Sequence, residues 1–179
     1  MDSGELKNAY ISSAENLEVI RRDFESNGNT KSRREFYRLR YMAAIIMNDL
    51  SREYLSIETN PTNGTSKLLA VGTLILKLYE ARQWYTKDGY VTLLDIADQK
   101  GIKSETEQKL RSLKGLKAGR IDAYSKFRNT IAGHYLFNSC ELIEELEKIE
   151  QEVFFEDARA VLRYGNEWIN VLKYVGEHT

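Results

Sequence analysis

Pro61 is the only proline among 179 residues, so almost nothing in this chain breaks an α-helix, whose interior a proline ring would disrupt. It stands in Asn60-Pro61-Thr62-Asn63-Gly64-Thr65, the clearest loop in the sequence. On either side, apolar residues recur at helical spacing. Leu6, Tyr10, Leu17, Ile20 and Phe24 predict a first helix over about 3–26, which Asn27-Gly28-Asn29 ends. Ser32 with Glu35 reads as a capping box. Phe36, Leu39, Ala43, Ile46, Leu50 and Tyr54 then draw one stripe to about residue 57. Leu68, Val71, Ile75, Leu78 and Tyr79 carry a third helix from about Ser66 to Lys87, ended by Asp88-Gly89.

Further along, a shorter element covers Thr92 to Gln99. Ser104 with Glu107 predicts a cap for the next helix, and Gly115 and Gly119 mark its end. Ile121, Tyr124, Phe127 and Ile131 carry another. Asn138 with Glu141 opens the last helical region, which passes Leu142, Leu146, Ile149 and Val153. It continues, bent near Phe154, through Val161, Tyr164, Trp168 and Leu172. No strand pattern and no internal repeat is present. The expected fold is all-α, an antiparallel bundle of about five long helices in one domain over 1–179.

Hydrophobic residues make up 42% of the chain and charged residues 30%, enough apolar material for a core and far from a disordered composition. The single cysteine, Cys140, excludes an internal disulfide and fits a reducing compartment. With one Cys and two His, a structural zinc site is not expected, nor is any other metal or cofactor. The start, Met1-Asp2-Ser3-Gly4-Glu5, lacks the basic-then-apolar order of a signal peptide. The most apolar run, Leu68 to Leu76, is fenced by Lys67 and Lys77 and is shorter than the roughly 20 residues of a bilayer-spanning helix. A cytoplasmic location with no membrane partner is expected.

Lys+Arg 26 against Asp+Glu 27 leaves a net charge of −1, which excludes a polybasic coat that binds by net charge alone. The charges are nevertheless segregated. Residues 31–40 hold Lys31, Arg33, Arg34, Arg38 and Arg40 against Glu35. Residues 100–128 hold nine cations against Glu105, Glu107 and Asp122, whereas 138–157 hold eight acids against Lys148. Such runs are commonly solvated helix faces that pair with one another. The basic stretch also suits a polyanion.

That stretch ends at Lys126-Phe127-Arg128-Asn129-Thr130-Ile131-Ala132-Gly133-His134-Tyr135. Arg128-Asn129 followed by Gly133-His134 resembles the signature of HEPN domains, in which an Arg, usually followed by a polar residue, precedes a His by a short interval. The likeness rests on residues 126–135 and, more loosely, on the helical layout from about 32 to 175. It implies a HEPN-like core over that range and a metal-independent endoribonuclease of toxin or abortive-infection type, acting on RNA as a homodimer, with a cognate antitoxin as a further partner. His134 would move protons to and from the ribose 2′-OH and the leaving 5′-oxygen. Arg128 would hold the charged phosphoryl oxygens. Asn129, Lys126, Arg120 and Tyr135 would bind or support the substrate, and Glu80 and Arg82 are candidate partners from another helix. The products implied are a 2′,3′-cyclic phosphate and a 5′-hydroxyl.

Six residues rotate an ideal helix by 600°, so Arg128 and His134 stand about 120° apart rather than on one face. The length of the arginine and a helix loosened at Gly133 would close part of that gap. The resemblance implies another answer, since HEPN active sites usually form where two copies of the motif face one cleft, and so an isologous dimer is expected. One family subgroup carries a tyrosine two residues beyond its His as a target for nucleotide transfer. Here Tyr135 follows immediately and position 136 is Leu, a departure from that pattern.

Other readings stay open. The domain could be a catalytically inactive HEPN-like module that binds RNA or protein, with Trp84, Tyr85, Phe154, Phe155 and Trp168 as interface aromatics. Alternatively, Leu94 to Leu110 could form a DNA-binding helix-turn-helix around Ala97 and Gly101, with Lys103, Lys109 and Arg111 toward phosphates and Glu107 where an aliphatic is normally buried.

Overall fold

Two long amphipathic helices open the chain. In the computed structural model, which describes residues 3–27, 31–59, 64–127 and 139–178, they are α1 (Ser3–Asn27) and α2 (Lys31–Thr59). They lie against each other in opposite directions. Asn48 Nδ2 donates to Ser13 Oγ at 3.0 Å and Arg40 Nη1 to Asp23 Oδ2 at 2.8 Å, while the rings of Phe24 and Tyr41 stack at 5.9 Å. The stripe read from α2 points inward, with Leu39, Ala43, Leu50, Tyr54 and Ile57 buried. Glu18, Arg21 and Glu25 form an exposed ladder along α1.

Helix α3 (Gly64–Thr86) is the centre of the core, because Leu74, Ile75, Leu78 and Tyr85 are wholly buried. It begins inside the expected 60–65 loop, since Gly64 and Thr65 are already helical. It stops at Thr86, and α4 (Asp88–Gln99) starts two residues later. Asp88-Gly89, expected to end one helix, therefore opens the next. Gly89 sits against the Trp84 ring.

The link to α5 (Lys103–Ser112) closes on Gly101, whose φ is +72°. Ile102 N–H donates to Ala97 O at 3.0 Å and Gly101 N–H to Asp98 O at 3.0 Å. Those two bonds form a Schellman motif, with glycine in the left-handed position that a Cβ disfavours. The Ser104–Glu107 capping box does not form. Ile102 occupies the N-cap position, Ser104 lies inside the helix, and Glu107 instead accepts from Arg111 Nη2 at 2.6 Å.

A 3₁₀ turn (Leu113–Leu116) and a 3₁₀ segment (Ala118–Tyr124) follow, joined by Lys117 at φ +57°. The segment then passes into α-helical backbone over 125–127. The glycines at 115 and 119 do mark the end of α5, but the chain remains helical through both. The helix expected over Ile121 to Ile131 thus starts as 3₁₀, and its course beyond Phe127 lies outside the described residues.

Helices α6 (Ser139–Glu147) and α7 (Gln151–Glu177) complete the chain. The last helical region breaks fully at Lys148–Glu150, rather than bending near Phe154. On α7, Phe154, Ala158, Val161, Trp168, Leu172 and Val175 are buried at helical spacing. Gly165 lets that helix close on its neighbours, since a Cβ there would sit 2.7 Å from Met47 Sδ and 3.0 Å from the Tyr85 hydroxyl. Tyr85, Phe154 and Trp168 are therefore core, and Trp84 and Phe155 are half-buried against it, so these aromatics do not form an exposed interface. The fold is all-α, with no strand among the described residues. Among those residues, four helices exceed twenty residues and three run from nine to twelve. No helix among them is long and apolar enough to cross a membrane.

Candidate nucleic-acid interface

Arg128, Asn129, His134 and Tyr135 lie outside the described residues. The other expected site residues do have places, and the structure sorts them into separate surroundings. Arg82 and Arg120 come together at a groove of about 780 Å³. Glu80, two residues from Arg82, lines a different groove of about 560 Å³ beside Asp49, Lys77 and Trp84. Lys126 is exposed and close enough to Glu145 to help Lys148 hold that carboxyl below its ordinary value.

The first groove is built where α5 gives way to the 3₁₀ corner. Arg111, Lys114, Lys117 and Arg120 come from that corner, Arg82 and Thr86 from α3, Tyr90 from α4 and Tyr164 from α7. Leu110, Leu113 and Ala118 supply apolar wall. Among the described residues, five cations line it and no carboxylate does. Four cations of the basic stretch read from the sequence, Arg111, Lys114, Lys117 and Arg120, are thereby gathered into a concavity.

Carboxylates just outside the lining hold three of these cations. Arg82 Nη1 reaches Asp122 Oδ1 at 2.6 Å, tying α3 to the 3₁₀ segment. Arg111 pairs with Glu107 at 2.6 Å, and Arg120 Nε with Asp157 Oδ1 at 2.8 Å. Asp157 is buried on α7 and also accepts from the Tyr124 hydroxyl at 3.1 Å. Burial first, and then the Asp157 charge, push the Tyr124 pKa up to about 12. Burial also raises that of Tyr164, against the opposing pull of the Arg82 guanidinium. Both phenols are thus neutral hydrogen-bond donors at neutral pH. Lys114 and Lys117 make no ion pair among the described residues.

The cations of the helix-turn-helix reading are engaged within the chain. Lys103 pairs with Asp98 at 3.3 Å, Lys109 Nζ lies 4.5 Å from the centre of the Tyr174 ring, and Arg111 is held by Glu107. Glu107 is half-buried beneath the Tyr90 hydroxyl at 3.5 Å, where an aliphatic residue would normally pack. His178 Nδ1 lies 2.8 Å from Tyr174 O, just beyond the last turn of α7. No group of His, Cys, Asp and Glu among the described residues is arranged to hold a metal ion.

The sequence alone does not mark Lys114, Lys117, Thr86, Tyr90 or Tyr164 as site residues. The two lysines are visible in the basic stretch, next to Gly115 and Gly119. Nothing in the sequence ties them to a tyrosine so far along the chain. No protein-family model, curated protein or solved structure matches this chain.

Proposed function

We propose that this protein is a metal-independent endoribonuclease of HEPN type, acting as a homodimer. The single observation that supports it is the basic groove with no carboxylate in its described lining, whose Arg120 stands eight residues before Arg128 in the sequence. Five convergent cations give a polyanion a place to sit. In this reading His134 takes the 2′-OH proton and returns one to the 5′-oxygen, Arg128 gathers charge on the phosphoryl oxygens, and Asn129 orients the phosphate or the ring. A cyclic phosphate and a 5′-hydroxyl leave.

The test is incubation of the purified protein with mixed RNA in EDTA, beside His134→Ala and Arg128→Ala, with light scattering for the mass. Cleavage in EDTA that both substitutions abolish, in a dimer that persists, is the expected result. Full activity in His134→Ala removes the catalytic assignment. The groove also favours a second reading, an RNA-binding module without catalysis, because its cations come from residues 82–120 and act whatever the motif does. RNA retention with no cleavage by the native protein selects it.

A further inference from the structure

Helix α1 stands apart from the rest of the bundle. Among its described residues Ile20 alone is buried, whereas α7, of similar length, buries eleven. The main core and the side chains packed against it include no described residue of α1. The helix packs on α2, and on no other helix to a comparable extent. It is held there by Asn48 on Ser13, by Arg40 on Asp23 and by the stacked rings of Phe24 and Tyr41. The side chains of Arg40 and Asp23 are 32% and 39% exposed, so water weakens their attraction.

The strip of α2 that receives α1 is equally separate. Tyr41, Ala44 and Asn48 share one face, at steps of three and four. Ala44 is buried but lies outside the main core, as Ile20 does. Leu39, Ala43 and Leu50 turn another face of the same helix into that core. Lifting α1 therefore uncovers a face of α2 and leaves the core closed. The pairs that Arg21 makes with Glu18 and Glu25 lie within α1 and leave with it.

We infer that α1 is an exchangeable arm: it lifts from α2 while the bundle stays folded, and the vacated face takes α1 of a second copy. The occupant follows from complementarity that the fold already displays. A second copy brings the same Asp23 to Arg40, the same Ser13 to Asn48 and the same Phe24 to Tyr41, so exchange trades identical contacts. Only Gly28-Asn29-Thr30 separate the two helices in sequence, and no proline falls between residues 3 and 59 to fix the backbone there. Reciprocal exchange gives an isologous pair. A short link holds an arm at an effective concentration of roughly 1 mM. A chain thus keeps its own α1 when dilute and trades it when concentrated.

This exchange goes beyond the ribonuclease reading and does not rest on it, since that reading places its shared cleft at Arg128 and His134. Ser13→Cys/Asn48→Cys in a Cys140→Ser chain puts one thiol on each side of the α1–α2 contact. Isotopically light and heavy forms are mixed, held at about 1 mM or about 1 µM, and joined with a short bismaleimide. Linked peptides of mixed isotope arise only between chains. They are expected at the high concentration and should be about tenfold or more rarer at the low one. Linked peptides of a single isotope at both concentrations overturn the exchange, and in a protein with the mass of a dimer they leave the motif dimer standing. Ile20→Asp, which puts a charge into the seat of the arm, should abolish linkage of both kinds. Undiminished mixed-isotope linkage in that variant shows random collision and overturns the exchange.

Hydrogen exchange on the unaltered protein tests the lifting by itself. A lone helix of this length is marginal in water, so the amides of α1 should exchange about tenfold or more faster than those of α3 and α7. Rates in α1 equal to those of the core helices overturn the inference.

Discussion

Nε of Arg120 lies 2.8 Å from Oδ1 of Asp157, a carboxylate 3% exposed on α7. The Tyr124 hydroxyl occupies the other oxygen at 3.1 Å. This contact clamps the 3₁₀ segment, and with it one wall of the groove, to the buried stripe of α7. Arg120→Ala leaves the carboxylate buried beside Tyr124 without its cation, and should cost about 1–3 kcal/mol in urea unfolding. A loss within error of zero would show that the clamp does not hold the wall.

Alkaline stability follows from the same cluster. The Tyr124 pKa rises from 10 to about 12 in the folded protein, so folding favours the protonated phenol. Its contribution is complete below about pH 10 and is lost as pH rises toward about 12. Tyr85 and Tyr164, both raised by burial, act in the same direction. Melting temperature should therefore fall across about pH 10–12, and Tyr124→Phe should make the fall shallower. An equally steep fall in that variant would contradict the assignment.

In the core, the Tyr85 hydroxyl and Trp168 Nε1 are buried with no hydrogen-bond partner among the described residues. Their rings pack 5.2 Å apart. Removing an unpartnered hydroxyl sheds a desolvation cost, so Tyr85→Phe should leave stability unchanged or raise it by up to about 1 kcal/mol. Trp168→Ala, which empties a filled core site, should cost about 3–5 kcal/mol. Chemical denaturation of both separates packing from polarity, and a loss above about 1 kcal/mol in Tyr85→Phe would go against the polar half of that account.

Gly101 governs the turn between α4 and α5. At φ +72° with open space where a Cβ would project, Gly101→Ala meets backbone strain and no clash. The expected loss is roughly 1–2 kcal/mol, read from a urea midpoint shift at constant slope. No shift would mean the turn relaxes freely.

Helices were legible because each long one buries a stripe that repeats at helical spacing. Leu39, Ala43, Leu50 and Tyr54 illustrate this on α2, as do Phe154, Val161, Trp168 and Leu172 on α7. Local caps were less legible. Ser104 and Glu107 have capping-box spacing, yet the Schellman bonds to Ala97 and Asp98 start α5 earlier, at Lys103, and free Glu107 for Arg111. The groove was half legible. Its lysines and Arg120 belong to one basic stretch, whereas Arg82, Tyr90 and Tyr164 reach it only through packing of α3, α4 and α7. Glu80 and Arg82 look equivalent as neighbours in sequence, but the helix turns them toward different grooves.

Occupation of the groove by RNA is tested most directly with His134→Ala protein, which in this reading cannot cut its ligand. Affinity for a labelled single-stranded RNA is measured across a salt series, with and without Lys114→Glu/Lys117→Glu. Loss of two phosphate contacts should weaken binding by about tenfold or more and reduce the slope of log K against log salt by about 1.4, at roughly 0.7 per contact on a single strand. Unchanged affinity and slope would place RNA somewhere other than this groove.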